Sequence, residues 1–441
     1  MRHAKIWLTS IALLVLLALA LAPSLLLAQT AEEAAAEVGP ATIRVGTWES
    51  GGTVPLWHQL IDEFHELYPN IRVEFEPTPD GYGTKLLVQM ATGDAPDVFQ
   101  VGDGDVRMFV ERGGTTNLAP YLHGETGLPG LDPGLFYDTL YETGVVDGEP
   151  HFLTKDYSPL VVYYNRDLFD AAGVPYPEDG WTWDDFREKA LQLTLDTNND
   201  GRIDQWGVQL PGRWIRAIEP FIFANGGDLM SEDGTQIEGY LNSPETVEAV
   251  QFYVDLYLQD QVSPSLAEME TAFQGVDLFQ NGMVAMNWTG RWPLAGYRDN
   301  PNLNFGVVGL PQKETRANAI CWAGFGLYSQ SQNKDAAWLF LRHIGGEPGA
   351  RVFGGHALPA VPAVVEELGL EADEHVSVVL NELQYLHPLP DMRTRWFNDS
   401  VANYFGEALE RLLTQGGDVQ AELDNAAARA QAELDRLRAQ E

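Results

Sequence analysis

T-K-D-Y-S-P-L-V-V-Y-Y-N-R-D-L-F-D-A-A-G-V-P-Y-P-E-D-G-W-T-W-D-D-F, residues 154–186, holds the punctuation that decides the fold. The run 160–164 is short, β-branched and aromatic, and bounded by Pro159 and Asn165, so it reads as a buried strand rather than a helix. A helix of one and a half turns follows over 167–172. Gly173 and then Pro175 end it as left-handed cap and helix breaker. Thr182 starts another helix: its hydroxyl is placed to take the amide of Asp185, and the Asp185 carboxylate to reach back. Strand, helical turn, loop and capped helix in succession predict an α/β chain.

The flanking sequence continues the pattern. Residues 42–48 alternate around Ile43 and Val45 as a first strand, and Thr53 is placed to cap a helix with Leu60, Ile61, Phe64, Leu67 and Tyr68 on one face. Ile71, Val73 and Phe75 point one way along a second strand, 85–91 is a helix closed by Gly93, and 97–101 is a third strand. Two strand-helix-strand units in a row imply a mostly parallel sheet, with ligands beyond its carboxyl ends. Downstream, Asp147-Gly148 reads as a turn, 214–223 as a helix, and Ser243-Pro244 as the start of one buried through Val247, Val250, Val254 and Tyr257. Phe279 to Gly282 reads as a helix end, 283–288 and 305–308 as strands, and 334–344 as a helix capped by Asn333. The last 40 residues read as helical.

A chain of 441 residues is too long for one ordinary core and comfortable for two. Hydrophobic content of 45% argues against disorder. The net charge of −37 repels phosphate backbones and anionic lipid, which argues against nucleic acid as a partner and against membrane-surface binding. Residues 1–30 begin with Arg2, His3 and Lys5, continue as an apolar run and reach Ala28, the pattern of an export signal. Cleavage after Ala28 is expected, with an uncleaved anchor as the alternative, and 31–41 reads as a flexible leader. No cysteine stands near that site for lipid attachment. The single cysteine, Cys321, has no partner for a disulfide or a zinc site and reads as a small buried residue.

The crossover 154–186, together with A-T-G-D-A-P-D-V-F at 91–99, resembles the family 1 extracellular solute-binding proteins, the sugar-binding subunits of ABC importers. The resemblance implies a two-lobe periplasmic-binding-protein type II fold, α/β, each lobe a mostly parallel sheet flanked by helices with a hinged cleft between. Lobe 1 would take 42–152 plus 310–355, and lobe 2 would take 153–309 plus 356–441, with crossings near 152, 309 and 355. It implies a periplasmic or extracellular monomer that traps a carbohydrate and docks on ABC permease subunits as its partners, with no catalysis and no required cofactor. A polyol, glycerol phosphate, a polyamine or a ferric ion are alternative ligands. A secreted glycoside hydrolase is the alternative from another class.

Sugars present C–H faces edged by hydroxyls, so a site needs flat aromatic platforms beside planar carboxylates, amides and guanidinium groups. Trp48-Glu49-Ser50, Asp103, Asp156-Tyr157, Trp214, Asn225, Trp288, Arg291, Trp322, Gly324, Arg393 and Trp396 fit that chemistry. The resemblance favours Trp288 and Tyr157, where similar proteins place aromatics. Any one tryptophan serves core packing as readily as a platform. Trp57, Trp181, Trp183, Trp206 and Trp338 read as packing residues, and Asp103 could equally cap the segment after it. No G-x-S-x-G, H-E-x-x-H or Walker loop occurs, and carboxylate pairs are too plentiful for any one to point to a glycosidase. The loop 196–207, D-T-N-N-D-G-R-I-D-Q-W-G, matches the first half of an EF-hand, with Asp196, Asn198, Asp200 and Asp204 as expected Ca2+ ligands. Gly207 stands where a bidentate glutamate belongs. A tight polar turn is the alternative reading.

Overall fold

The computed structural model describes residues 33–440, so the expected export signal lies outside the described residues. Twelve strands occur among them: β1 (Ala41–Thr47), β2 (Ile71–Pro77), β3 (Val98–Gly102), β4 (Val145–Val146), β5 (Glu149–Pro150), β6 (Phe152–Pro159), β7 (Val161–Asn165), β8 (Trp206–Gln209), β9 (Val284–Thr289), β10 (Phe305–Val308), β11 (Ile320–Leu327) and β12 (Leu358–Pro359). The chain divides into two units. The first holds residues up to Gln100, Gly113–Leu153 and Gly324–Val352; the second holds Val101–Arg112, Thr154–Ala323 and from Phe353 onward. Against the expected crossings, the chain passes between units after 100, 112, 153, 323 and 352, so 101–112 and 310–323 belong to the second unit. The strand at 305–308, expected to cross, lies wholly within the second unit.

In the first unit β1 pairs in parallel with β2 and with β3, as the strand-helix-strand reading requires. The helix Val54–Leu67 buries Trp57, Leu60, Ile61 and Phe64. Trp57 stacks on Phe75 at 5.2 Å, and Phe64 meets Phe340 edge-on at 5.0 Å. Thr53 does not cap this helix as expected: its hydroxyl donates to the Ser50 carbonyl, because a 3-10 turn, Gly51–Thr53, precedes the helix. Gly93 closes the helix Tyr82–Thr92 in the left-handed conformation. Asp147 and Gly148, at φ 54° and 83°, join β4 to β5 in the doubly left-handed turn that suits a two-residue hairpin. The leader read as flexible is helical over 33–38, with Ala34 and Ala35 buried and the Asn70 amide donating to the Ala35 and Gly39 carbonyls.

The second unit corrects the expectation of parallel pairing. Its four-stranded sheet runs β10-β7-β9-β8, and only β8 with β9 is parallel; β7 is antiparallel to both its neighbours. Residues 154–186 otherwise fold as their sequence predicts. Asn165 caps the helix Arg166–Ala172, Gly173 ends it left-handed, and Thr182 with Asp185 forms the reciprocal cap of Trp183–Gln192. Asn318 stitches the bend between β6 and β7, accepting from the Leu160 amide at 3.0 Å and donating to its carbonyl at 2.8 Å. The helix Pro244–Leu258 buries Val250, Val254 and Tyr257 but only half-buries Val247. Residues 279–282 form a turn rather than a helix end. The helix Lys334–Gly345 of the first unit has no side-chain cap from Asn333, whose amide donates to the Thr42 carbonyl instead. Two helices, Asn403–Gln415 and Val419–Arg438, close the second unit. Among the described residues no helix is long and apolar enough to cross a membrane.

Candidate functional site

In the second unit the helix Ile215–Ala224 carries two charges in an otherwise apolar run, Arg216 and Glu219, three residues apart on one face. Pro220 takes away the amide that would have bonded the Arg216 carbonyl. Arg216 Nη1 donates to Glu219 Oε2 at 2.5 Å, Nη2 pairs with Asp103 Oδ2 at 3.1 Å, and Nη2 also donates to Asp391 Oδ2. Asp103 comes from the 3-10 turn after β3 and Asp391 from the turn Pro390–Met392. These groups line a cavity of about 370 Å³, with Trp214 and Phe397 on its wall. Burial raises the proton affinity of Asp103 and of Glu219, and the Arg216 charge only partly offsets it. Cys321 also lines the cavity, half-buried rather than sealed, and burial pushes its thiol up.

Trp214 is 38% exposed and Trp292 47%, with ring centroids 6.0 Å apart at 63°. Two exposed indoles meeting beside a polar cavity form a platform for a flat, half-apolar ligand. Gly290 makes room for it: a Cβ there would stand 2.1 Å from the Trp292 ring.

The two aromatics expected as platforms are in the core instead. Trp288 is 2% exposed, stacked on Phe221 at 4.5 Å and against Phe186 at 5.8 Å. Tyr157 is 1% exposed. The reason for Trp288 is that β9 is flanked by strands on both sides and buried along both faces up to Trp288, one residue from its end, so the ring meets packing rather than solvent. Trp322 is buried too, its indole donating to Thr154 Oγ1 at 3.1 Å. Trp57, Trp181, Trp183, Trp206 and Trp338 are buried packing residues, as read.

The other expected residues divide by role. Asp103 and Trp214 join the cavity. Arg291 is buried, its Nη2 donating to the Gly354 carbonyl and its amide to Ser158 Oγ. Asn225 ends the helix Ile215–Ala224 and donates to the Glu245 carbonyl and to Glu248. Asp156 pairs with Lys155. Arg393 clamps Asp228 and the Met230 and Pro388 carbonyls, while Trp396 lies under the Arg395 guanidinium. Gly324 is a buried residue of β11 in the first unit. In that unit, at the end of β1, Trp48 meets Tyr82 edge-on at 5.7 Å. Glu49 accepts from Gln100 at 3.0 Å, and Ser50 is exposed.

The loop 196–207 folds on itself. Asp196 accepts from the Asp200 and Gly201 amides, Asn198 from the Asp200 amide, and Asp204 from Thr197. A Cβ at Gly207 would stand 2.0 Å from the Ala190 carbonyl oxygen, so the strand leaves no room for a glutamate to complete the loop. Among the described residues no three His, Cys, Asp or Glu side chains gather as a metal would require.

Residues 50–351 match the family of bacterial extracellular solute-binding proteins. A binding protein of Brucella abortus strain 2308 is 26% identical over 317 residues, covering 69% of this chain and 72% of that one. The sn-glycerol-3-phosphate-binding periplasmic protein UgpB of Escherichia coli K12 is 26% identical over 302 residues, 63% of this chain and 66% of that one. Among solved structures, the ABC substrate-binding protein Lmo0181 of Listeria monocytogenes, in complex with cycloalternan, superposes with a TM-score of 0.80 at 26% identity, covering 90% of this chain and 99% of that one.

Proposed function

The chain belongs to the bacterial extracellular solute-binding protein family, and from that premise we propose that it captures a carbohydrate, an oligosaccharide or glycoside, outside the cytoplasm and delivers it to the permease of an ABC importer. The observation that carries this reading is the exposed Trp214–Trp292 pair beside a cavity walled by carboxylates and a guanidinium. Indoles cover the C–H faces of a sugar, and charged acceptors and donors take its hydroxyls. The likeness to a Listeria protein solved with cycloalternan supports the same ligand class. In this reading the protein acts as a monomer and gives affinity without turnover.

The test is a thermal-shift screen of the purified protein against mono- and oligosaccharides, with glycerol 3-phosphate included because a UgpB is among the relatives. A ligand at 100 times its Kd adds about 2.7 kcal/mol to the folded state, which a melting curve resolves. A sugar that raises the melting temperature and is recovered unhydrolysed supports the reading. A shift with glycerol 3-phosphate alone, or release of shorter sugars, contradicts it.

A further inference from the structure

The cavity beside Trp214 is lined by more carboxyl groups than cations. Asp103, Glu219 and Asp391 surround the one guanidinium of Arg216, and Asp105 interacts with Asp391 from the same 3-10 turn as Asp103. The other arginine on the wall, Arg213, is engaged by Glu410 at 2.6 Å. Asp391 is 5% exposed, and its Oδ1, sealed from solvent, has no hydrogen-bond partner among the described residues. An unmatched, buried carboxylate oxygen on a residue that lines a cavity is costly until a donor meets it. Burial raises the proton affinity of Asp103, Asp105 and Glu219, the direction expected where carboxylates outnumber cations.

Resting on the carbohydrate reading of this same site, we infer that the sugar unit entering the cavity bears a protonated amine, and that the ligand carries no phosphate or carboxylate. An ammonium group brings three N–H donors and a positive charge that favours the ionised form of these carboxyls. It would also lie near the face of an indole, where a cation is attracted by the ring quadrupole. A phosphate would meet three carboxyl groups and a guanidinium that is already paired with them.

Matched pairs test this by isothermal titration: glucosamine against glucose, galactosamine against galactose, and the β-1,4 glucosamine trimer against cellotriose, which differ only in amine for hydroxyl at C2. At about 0.15 M salt, where charges beyond about 8 Å are screened, the amino member of a pair is expected to bind at least about tenfold tighter. Asp391→Asn and Glu219→Gln should each cut that preference to about threefold or less. Glu219→Gln retains an acceptor for Arg216, so it carries the test should Asp391→Asn fail to fold. Glu433→Gln, the same charge change beside Arg436 on the last helix, should leave the preference intact. Equal or tighter binding of the hydroxyl sugars, or a preference that survives both cavity substitutions, overturns the inference and leaves the carbohydrate reading standing. Binding of another sugar from the panel but of none in these pairs overturns the inference alone, and binding of spermidine in place of any sugar overturns both.

Discussion

Trp288 and the Trp214–Trp292 pair are tryptophans of one unit in opposite settings. Trp288 has its ring against Phe221 and Phe186, on a strand with neighbours on both sides. Trp214 precedes a helix and Trp292 sits in the turn after β9, and their rings meet each other over solvent. All three have polar residues beside them in sequence, so polar neighbours do not distinguish a platform from a core ring. What packs opposite the ring does, and that is a property of tertiary structure.

The largest expected effect comes from Trp288→Ala, which removes a stacked core ring and should cost about 3–5 kcal/mol of stability, read as a lowered urea midpoint. A variant that melts like the parent and only loses sugar would invert the comparison. Replacing both exposed rings, Trp214→Ala with Trp292→Ala, should weaken sugar binding by about 1–3 kcal/mol by titration calorimetry, while stability stays within about 0.5 kcal/mol. Loss of stability without loss of affinity would make them packing residues after all.

A subtler effect follows from the cavity floor. Folding raises the proton affinity of Glu219 above its ordinary value of 4.5, so the folded state binds more protons than the unfolded chain and stability declines as pH climbs upward from there. Glu219→Gln should flatten that decline, measured as urea midpoints between about pH 4.5 and pH 8. An unchanged slope would mean that Glu219 does not feel the cavity. The smallest effect belongs to Thr182→Ala, which removes the helix cap and should cost about 1 kcal/mol with sugar affinity untouched. Altered affinity there would show that the quoted stretch does more than position the sheet.

Local chemistry was legible because it is written in adjacent residues. The reciprocal cap at Thr182 and Asp185, the left-handed stops at Gly93 and Gly173, and the Asp147-Gly148 hairpin each depend on a few neighbours and stand where they were read. Strand direction in the second unit was not legible, since nothing within β7 or β9 says which strands will flank it. The cavity joins Asp103, Arg216 and Asp391 from positions far apart in sequence, which no local pattern connects. Two signals did exist. Arg216 and Glu219 interrupt an apolar helix, which marks a buried charged pair, and Gly290 two residues before Trp292 marks a ring lying close over backbone. By contrast, the EF-hand-like loop lacked its glutamate in sequence, and the Ala190 carbonyl oxygen, 2.0 Å from where a Cβ at Gly207 would stand, shows why no side chain is there.

The measurement that bears most directly on the account is a crystal structure of the protein with the sugar that most raises its melting temperature. A sugar ring is expected within about 4 Å of the Trp214 or Trp292 indole, the distance of apolar contact, with a polar group of that sugar reaching Asp391 or Glu219. A sugar bound with both indoles bare and the cavity empty of it would rule out the Trp214–Trp292 pair as the platform.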